Sequence, residues 1–303
     1  MLTIRALEEK DLDAADRIFR LAFGTWFGLA DPASFRGNGE MVRTRWRVDP
    51  QAALGAYRGA ELVGSSFASR WGSFGVFGPL TVRPDLWNQG IARRLLEVTL
   101  PVFERWCVAQ SALFTFGDSA KHVSLYQKFG YWPQYLTAVM TKQVSPAAGQ
   151  QWTVYSKSDK KKTLRECAAL THSIWPGLDL EREIRALDEQ GIGETLLIEG
   201  GFAVCHIGSG SEAGSGSVYV KFGAVRPGAD APQNFARLVS ACEALALERG
   251  ARTLVAGVNT ARHAAYRAML ERGFRTQLQG VAMQRPNHPG YNRPECFVID
   301  DWR

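Results

Sequence analysis

Apolar and polar positions along this chain switch between two periods, and the switches predict the elements. "LTIRAL" (2–7) alternates as a short strand, while "EKDLDAADRIFRLAF" (9–23) places acidic residues early and apolar ones at helical spacing. "AALGAYRG" (52–59) and "ELVGSSFASRW" (61–71) pattern as paired strands about a turn, and "FGVFGPLTV" (74–82) as a further strand. A helix follows over "QGIARRLLEVTLPVFERWCVA" (89–109), then a strand over "SALFTFG" (111–117). A helix over "AKHVSLYQKFG" (120–130) and a closing strand over "YLTAVMTK" (135–142) complete the set. Antiparallel strands followed by strand–helix–strand–helix–strand predict an α/β or α+β domain of about 140 residues.

The pattern is written twice. Val82-Arg83-Pro84 recurs as Val225-Arg226-Pro227, an offset of 143 residues (225 less 82), and the same offset carries Arg94 to Arg237 and Leu95 to Leu238. It also carries Gly130 to Gly273 and Met140 to Met283 without a gap. Two tandem domains are therefore expected, 1–146 and 152–303, each a mixed, mostly antiparallel sheet flanked by helices. The break falls near "QVSPAAGQQ" (143–151), where Pro, Ala, Gly and Gln interrupt the pattern. In the second half "GSGSEAGSGS" (208–217) has the composition of a flexible hairpin tip, unable to pack a core. The closing "NHPGYNRPECFVIDDWR" (287–303) is expected to be an arm docked on the body.

Composition narrows the classes. The 303 residues are 46% hydrophobic and 22% charged, which excludes a disordered or collagen-like chain. The formal charge of +6 is spread over segments such as "RTRWR" and "SKSDKKK", which favours anionic small molecules over nucleic acid as partners. No apolar run approaches the roughly 20 residues that span a bilayer. The N-terminus is charged early and lacks the apolar core of a signal peptide, so a cytoplasmic protein is expected, with no membrane partner. Five cysteines without a CxxC spacing are expected as reduced thiols, and five histidines without HxH or HExxH spacing give no reason to expect a metal.

"LWNQGIARRLL" (86–96) carries the candidate chemistry. A strand feeding a glycine turn into a helix N-terminus leaves backbone N–H groups without intrahelical partners, and the helix dipole adds to their pull on an anion. Gly90 permits close backbone approach to a phosphate and Ala92 keeps the next approach open, although the turn alone is also compatible with a plain strand-to-helix connection. Together "LTVRP", "WNQGIA" and, some thirty residues on, "LYQKFGY" resemble the ordered motifs of the GCN5-related N-acetyltransferase (GNAT) superfamily. The resemblance extends over both halves, with the specific motifs in the first only.

That resemblance implies an acetyl-CoA-dependent N-acetyltransferase whose N-terminal domain moves an acetyl group to a primary amine of a small molecule by direct attack. The edge of Leu80, Thr81 and Val82 would bond the pantetheine arm of acetyl-CoA as an added strand. The N–H groups from Trp87, Asn88, Gln89, Gly90, Ile91 and Ala92 would cradle the pyrophosphate, with Arg93 nearby. A backbone N–H near Val82 would hold the developing oxyanion. Ser119 stands where the family often has an Asn facing the cofactor, and Tyr126 would protonate the departing thiolate. Trp87 departs from the Arg or Gln usual at its position, and the departure has no explanation in the sequence.

Asp118, His122 and Glu40 are candidates for a general base, and none is singled out. The acceptor side is expected in "FGTWFGLADPASFRGNGEMVRTRW" (23–46), with Trp26, Phe27 and Phe35 as an apolar wall and Asp31 or Glu40 holding a cationic amine. At the offset, the turn becomes "DAPQNF" (230–235), with Pro232, Gln233 and Phe235 in place of an open cradle, and Tyr126 becomes Met269. The second half is therefore expected to be degenerate, shaping the acceptor pocket or serving as a built-in dimer partner in place of a homodimer. A non-catalytic acyl-CoA-binding or regulatory module is the rival reading.

Overall fold

The structure, a computed structural model, describes residues 1–145 and 151–303. The core of the expected break, 146–150, lies outside the described residues. The first half runs β1 (Leu2–Ala6), α1 (Leu12–Trp26), α2 (Val42–Val48), β2 (Ala53–Arg58), β3 (Glu61–Trp71) and β4 (Phe74–Val82). It continues with α3 (Ile91–Arg105), β5 (Gln110–Thr115), α4 (Ala120–Gln127) and β6 (Trp132–Gln143). The second half runs β7 (Thr153–Val154), α5 (Lys160–Ile174), α6 (Glu181–Gln190), β8 (Gly193–Ile198), β9 (Gly201–Ile207) and β10 (Ser217–Val225). It ends with α7 (Ala231–Glu248), β11 (Thr253–Asn259), α8 (His263–Glu271), β12 (Arg275–Arg285) and β13 (Val298–Ile299).

The elements form for the reasons their sequences suggest. Leu12, Ala15, Ile18, Phe19 and Ala22 recur at three- and four-residue spacing in α1 and are its buried stripe. In α3 the buried set is Ile91, Leu95, Leu96, Thr99, Val102 and Phe103, again one face. The offset of the sequence repeat is exact in space at the critical strand, since Phe74–Val82 moved by 143 residues is Ser217–Val225, the bounds of β10. None of the described helices is long and apolar enough to cross a membrane.

The two halves do not keep separate sheets. All the strands join one 13-stranded sheet in the order β1-β2-β3-β4-β5-β12-β6-β11-β10-β9-β8-β7, with β13 added on β10. Its pairs are antiparallel except β4–β5 and β10–β11. The closing strands are exchanged: β12 of the second half pairs β5 of the first, and β6 of the first half pairs β11 of the second. Side chains follow the strands. Ala138 and Met140 of β6 are buried in the core built on α7, and Val281 and Met283 of β12 are buried beside α3 and Tyr126. The cut in sequence near 143–151 is thus not a cut in space, because each half completes the other's core.

Candidate active site

The sheet opens at one place. β4 and β5 run parallel only from Phe74↔Gln110 to Val76↔Ala112, and beyond that pair they part. Just past the parting, the β3–β4 register shifts between Ser66↔Leu80 and Ala68↔Phe77, so Gly78 and Pro79 bulge opposite a single residue. A bulge of this kind bends a strand and re-aims its edge. From Leu80 to Val82 the pairing with β3 is regular again. Arg83 donates its N–H to the Val63 carbonyl at 3.0 Å, so by alternation Thr81 faces β3 while Leu80 and Val82 turn their backbone groups to the open side.

That open edge runs into the turn before α3. Asn88 and Gly90 both take the left-handed conformation, with φ of 65° and 76°, and Gly90 is the N-cap of α3. A Cβ built on Gly90 meets no protein atom within 4 Å, so the position faces empty cavity rather than a packed neighbour. Trp87 now has an explanation: its indole N–H donates to the Val82 carbonyl at 2.8 Å, pinning the turn to the strand end. The Val82 N–H and both Leu80 backbone groups are left to the groove.

A cavity of about 600 Å³ fills the space between the parted strands. Among the expected cofactor residues, Leu80, Thr81, Val82, Trp87, Asn88, Gly90, Ile91, Ala92 and Arg93 line it, and so does Tyr126. Gln89 does not; it is exposed and accepts from Arg58. Ser119 does not either. It is buried, and its hydroxyl is the N-cap of α4, accepting from the His122 N–H. An N-cap serine has its acceptor committed to the helix, which explains why Ser119 is not available to the groove.

Tyr126 packs edge-on against Phe77 at 5.9 Å, and burial pushes its phenol well above the ordinary tyrosine value. Its hydroxyl has no hydrogen-bond partner among the described residues. His122 lies four residues earlier, on the same face of α4, and lines the same cavity. Burial, aided by Lys121 and opposed by Asp118, holds the His122 imidazole below its ordinary value, so it is neutral at pH 7. Asp118 is exposed, and neither it nor Glu40 reaches the cavity lining.

The far end of the cavity is aromatic. Trp26, Phe27 and Phe35 form the expected wall, joined by Phe19, Phe23 and Phe116. Phe35 is stacked between Phe23 and Phe27, at 5.4 and 5.6 Å, and Trp26 is stacked on Phe116 at 5.5 Å. Arg20 positions Phe35 by donating to the carbonyls of Phe35, Gly37 and Gly39 at 2.6–2.9 Å. The expectation that Asp31 or Glu40 holds an amine fails. The Asp31 carboxylate caps its own turn through the Ala33 N–H, and no Asp or Glu side chain lines the cavity among the described residues. The charged lining is cationic: Arg36, Arg93, Lys121, Lys128 and Arg303. Phe19 and Phe23 were visible in the sequence as a four-residue aromatic spacing ending at Phe27, a pattern that a core helix shares. Arg36 and Arg303 carried no signal.

The glycine-serine hairpin is a correction. Gly208–Gly216 is not a loose tip: Ser211 and Glu212 are buried, and the hairpin docks on the loop that carries Phe35. Glu40 donates its N–H to the Ser211 carbonyl at 2.8 Å, and Arg36 donates to the Glu212 carbonyl at 2.6 Å. The Glu212 carboxylate pairs with Arg45 and with Lys221, each at 2.9 Å, and the two cations hold it well below the ordinary carboxylate range despite burial. Lys221 continues to Glu183 at 3.0 Å, and Glu183 accepts from the Trp71 indole. Composition alone could not show this, because eight small residues hide one carboxylate whose partners lie elsewhere in the chain.

In the second half the corresponding groove is filled. Leu80 and Thr81 correspond by the offset to Gly223 and Ala224, and these two pair with Ile299 and Val298 of β13. The tail is therefore docked on the body as an added strand, on the very edge that is open in the first half. Phe235, which corresponds to Ala92, is fully buried against Phe297, and Met269, which corresponds to Tyr126, is fully buried in the core. Beyond β13 the tail crosses to the first half, where Trp302 and Arg303 line the cavity.

The fold thus presents a strand that parts from its neighbour at a bulge, with a free edge leading to a helix N-terminus. Residues 15–131 match the acetyltransferase (GNAT) family. Solved structures with the same fold run nearly end to end. A proposed acetyltransferase from Pyrococcus horikoshii is 17% identical with a TM-score of 0.69, covering 99% of this chain and 95% of that one. A GCN5-related N-acetyltransferase from Sphaerobacter thermophilus is 15% identical with a TM-score of 0.62, covering 95% and 96%. One from Kribbella flavida is 18% identical with a TM-score of 0.53, covering 94% and 72%. At these identities the likeness is one of fold. No curated protein matches the chain.

Proposed function

We propose that the protein moves the acetyl group of acetyl-CoA to a primary amine of a small molecule, by direct attack, in its first half. One observation carries the reading: the free edge of β4 leads into the Gly90 turn and faces Tyr126 in a single cavity, while the matching edge of β10 is closed by β13. The cradle fits a phosphate, since left-handed Gly90 leaves open space where a side chain would project. Bound acetyl-CoA supplies the activated thioester carbonyl. Leu80 and Val82 hold the pantetheine arm as a partner strand would, as β13 does on β10.

The Val82 N–H donates to the acetyl oxygen, where negative charge builds during attack. Tyr126, kept protonated by burial, gives its proton to the thiolate as it departs into the same cavity. His122, neutral at pH 7, takes the proton lost by the attacking nitrogen, directly or through water. The second half acts as a scaffold that lends β12 to the sheet and braces the acceptor loop with its glycine-serine hairpin. A thiol-release assay with acetyl-CoA over a panel of amines tests the reading. Turnover is expected, with Tyr126→Phe lowering kcat about 100-fold, within the usual range for removing a general acid. Binding of acetyl-CoA without turnover, together with indifference to Tyr126→Phe, would instead make this a non-catalytic acyl-CoA-binding protein.

A further inference from the structure

The acceptor end of the cavity is chemically one-sided. Six aromatic rings stand along it, and among the described residues the charged side chains of the cavity lining are cations. A protonated amine would need a carboxylate there, or free aromatic faces turned toward it. It has neither. Phe35 is near-parallel to Phe23 and to Phe27, with interplanar angles of 14° and 16°, and Trp26 lies at 17° on Phe116. Near-parallel rings of this kind accept another flat ring and do not enclose an ammonium.

The cations point to a second requirement. Arg36 lines the cavity beside Arg303; burial, with Arg303 and Arg45 adding to it and Glu212 opposing, pushes its guanidinium down to about 10. Arg303, at the same wall, pairs with Asp301 at 2.9 Å, yet its Nη2 is buried without a hydrogen-bond partner among the described residues. A buried guanidinium nitrogen left unpaired is costly, and a bound carboxylate would satisfy it.

Resting on the acetyl-transfer reading above, we infer that the acceptor is a flat aromatic amine carrying a carboxylate. Its ring lies along the aromatic wall at Phe116, and its carboxylate is held by Arg36 and Arg303. An arylamine is uncharged at neutral pH because its lone pair is delocalised into the ring. It needs no carboxylate to hold an ammonium and no strong base to deprotonate it before attack, which agrees with His122 being the one neutral imidazole at the cavity. The balance is simple. The nitrogen lone pair forms a C–N bond to the acetyl carbon, the C–S bond breaks and its electron pair stays on sulfur. Sulfur takes the Tyr126 proton, the nitrogen loses one to His122 or water, and an amide and a free thiol result.

The test uses the full-length protein with CoA bound and three probes: 4-aminobenzoate, aniline and benzylamine. By calorimetry, 4-aminobenzoate is expected to bind at least tenfold more tightly than aniline, with benzylamine weakest. Arg36→Met is expected to bring 4-aminobenzoate down to the level of aniline and leave aniline within twofold, while Arg36→Lys keeps most of the preference. Benzylamine bound or acetylated as well as 4-aminobenzoate would overturn the inferred acceptor class and leave the transferase reading standing. So would a preference that survives Arg36→Met, or no binding of any probe. Conversely, preferential binding of 4-aminobenzoate with no acetyl transfer to it from acetyl-CoA would overturn the transferase reading and keep the ligand class.

Discussion

Arg45 and Glu212, 167 residues apart in the chain, form a two-pronged ion pair, Nε to Oε1 at 3.1 Å and Nη2 to Oε2 at 2.9 Å. The same guanidinium donates to the Gly78 carbonyl, at the bulge where β4 turns away from β5. One buried contact thus ties the glycine-serine hairpin of the second half to the strand that forms the groove of the first.

Glu212→Gln is expected to destabilise the protein by about 3–5 kcal/mol, the usual cost of leaving buried charges uncompensated. Arg45 would lose its carboxylate, and Lys221 would keep only Glu183. Urea unfolding at pH 7 measures this, and a loss below about 1 kcal/mol would show the pair to be dispensable.

The exchanged strands make the two halves one cooperative unit. Met140→Ala, a change in the first half's closing strand, opens a cavity in the second half's core and is expected to cost about 2–5 kcal/mol. Calorimetric unfolding should still show a single transition, with calorimetric and van't Hoff enthalpies equal. Two separated transitions, one of them unmoved by Met140→Ala, would contradict the exchange.

His206 gives stability a pH dependence. It is fully buried beside Glu212, and burial pushes its imidazole down from 6.5 to about 4. Folded His206 is therefore neutral between pH 6.5 and about 4, whereas the unfolded chain binds the proton in that window. Its contribution is fully present above pH 6.5 and falls by about 1.4 kcal/mol per unit as pH drops toward 4. His122, also held below its ordinary value, adds to the trend with the same sign. Urea midpoints at pH 7 and 5 should differ clearly for the native sequence and less for His206→Gln.

How far the sequence carried the account depends on whether a feature is local. The Gly90 turn, the β4 edge and Tyr126 are local patterns, and they stand together at one cavity. The offset of 143 residues predicted the bounds of β10 because two copies of one pattern fold alike. What stayed hidden was pairing at a distance. Alternation marks 135–142 as a strand but says nothing of its neighbour, so the exchange of β6 and β12 left no trace. Glu212 looked solvated because its partners are Arg45 and Lys221, and Ser119 looked like a ligand contact because nothing local showed that it caps α4. Trp87, unexplained as a departure from Arg or Gln, became legible once its indole was seen on the Val82 carbonyl.

That indole contact also makes a prediction. Trp87→Phe removes one hydrogen bond, typically about 0.5–1.5 kcal/mol, and frees the Val82 carbonyl. The turn then loses its tie to β4, and the dissociation constant for acetyl-CoA should rise several-fold with the unfolding midpoint little changed. Unaltered affinity would show that the turn is held by its backbone alone.

The central claim is that one groove, in the first half only, takes acetyl-CoA. Titration calorimetry of acetyl-CoA into the full-length protein tests it directly. The expected result is one site per chain, with Gly90→Val lowering affinity at least tenfold because a branched residue is strained in the left-handed region and projects into the cradle. Binding of two equivalents, or one equivalent unmoved by Gly90→Val in a folded protein, would contradict the account.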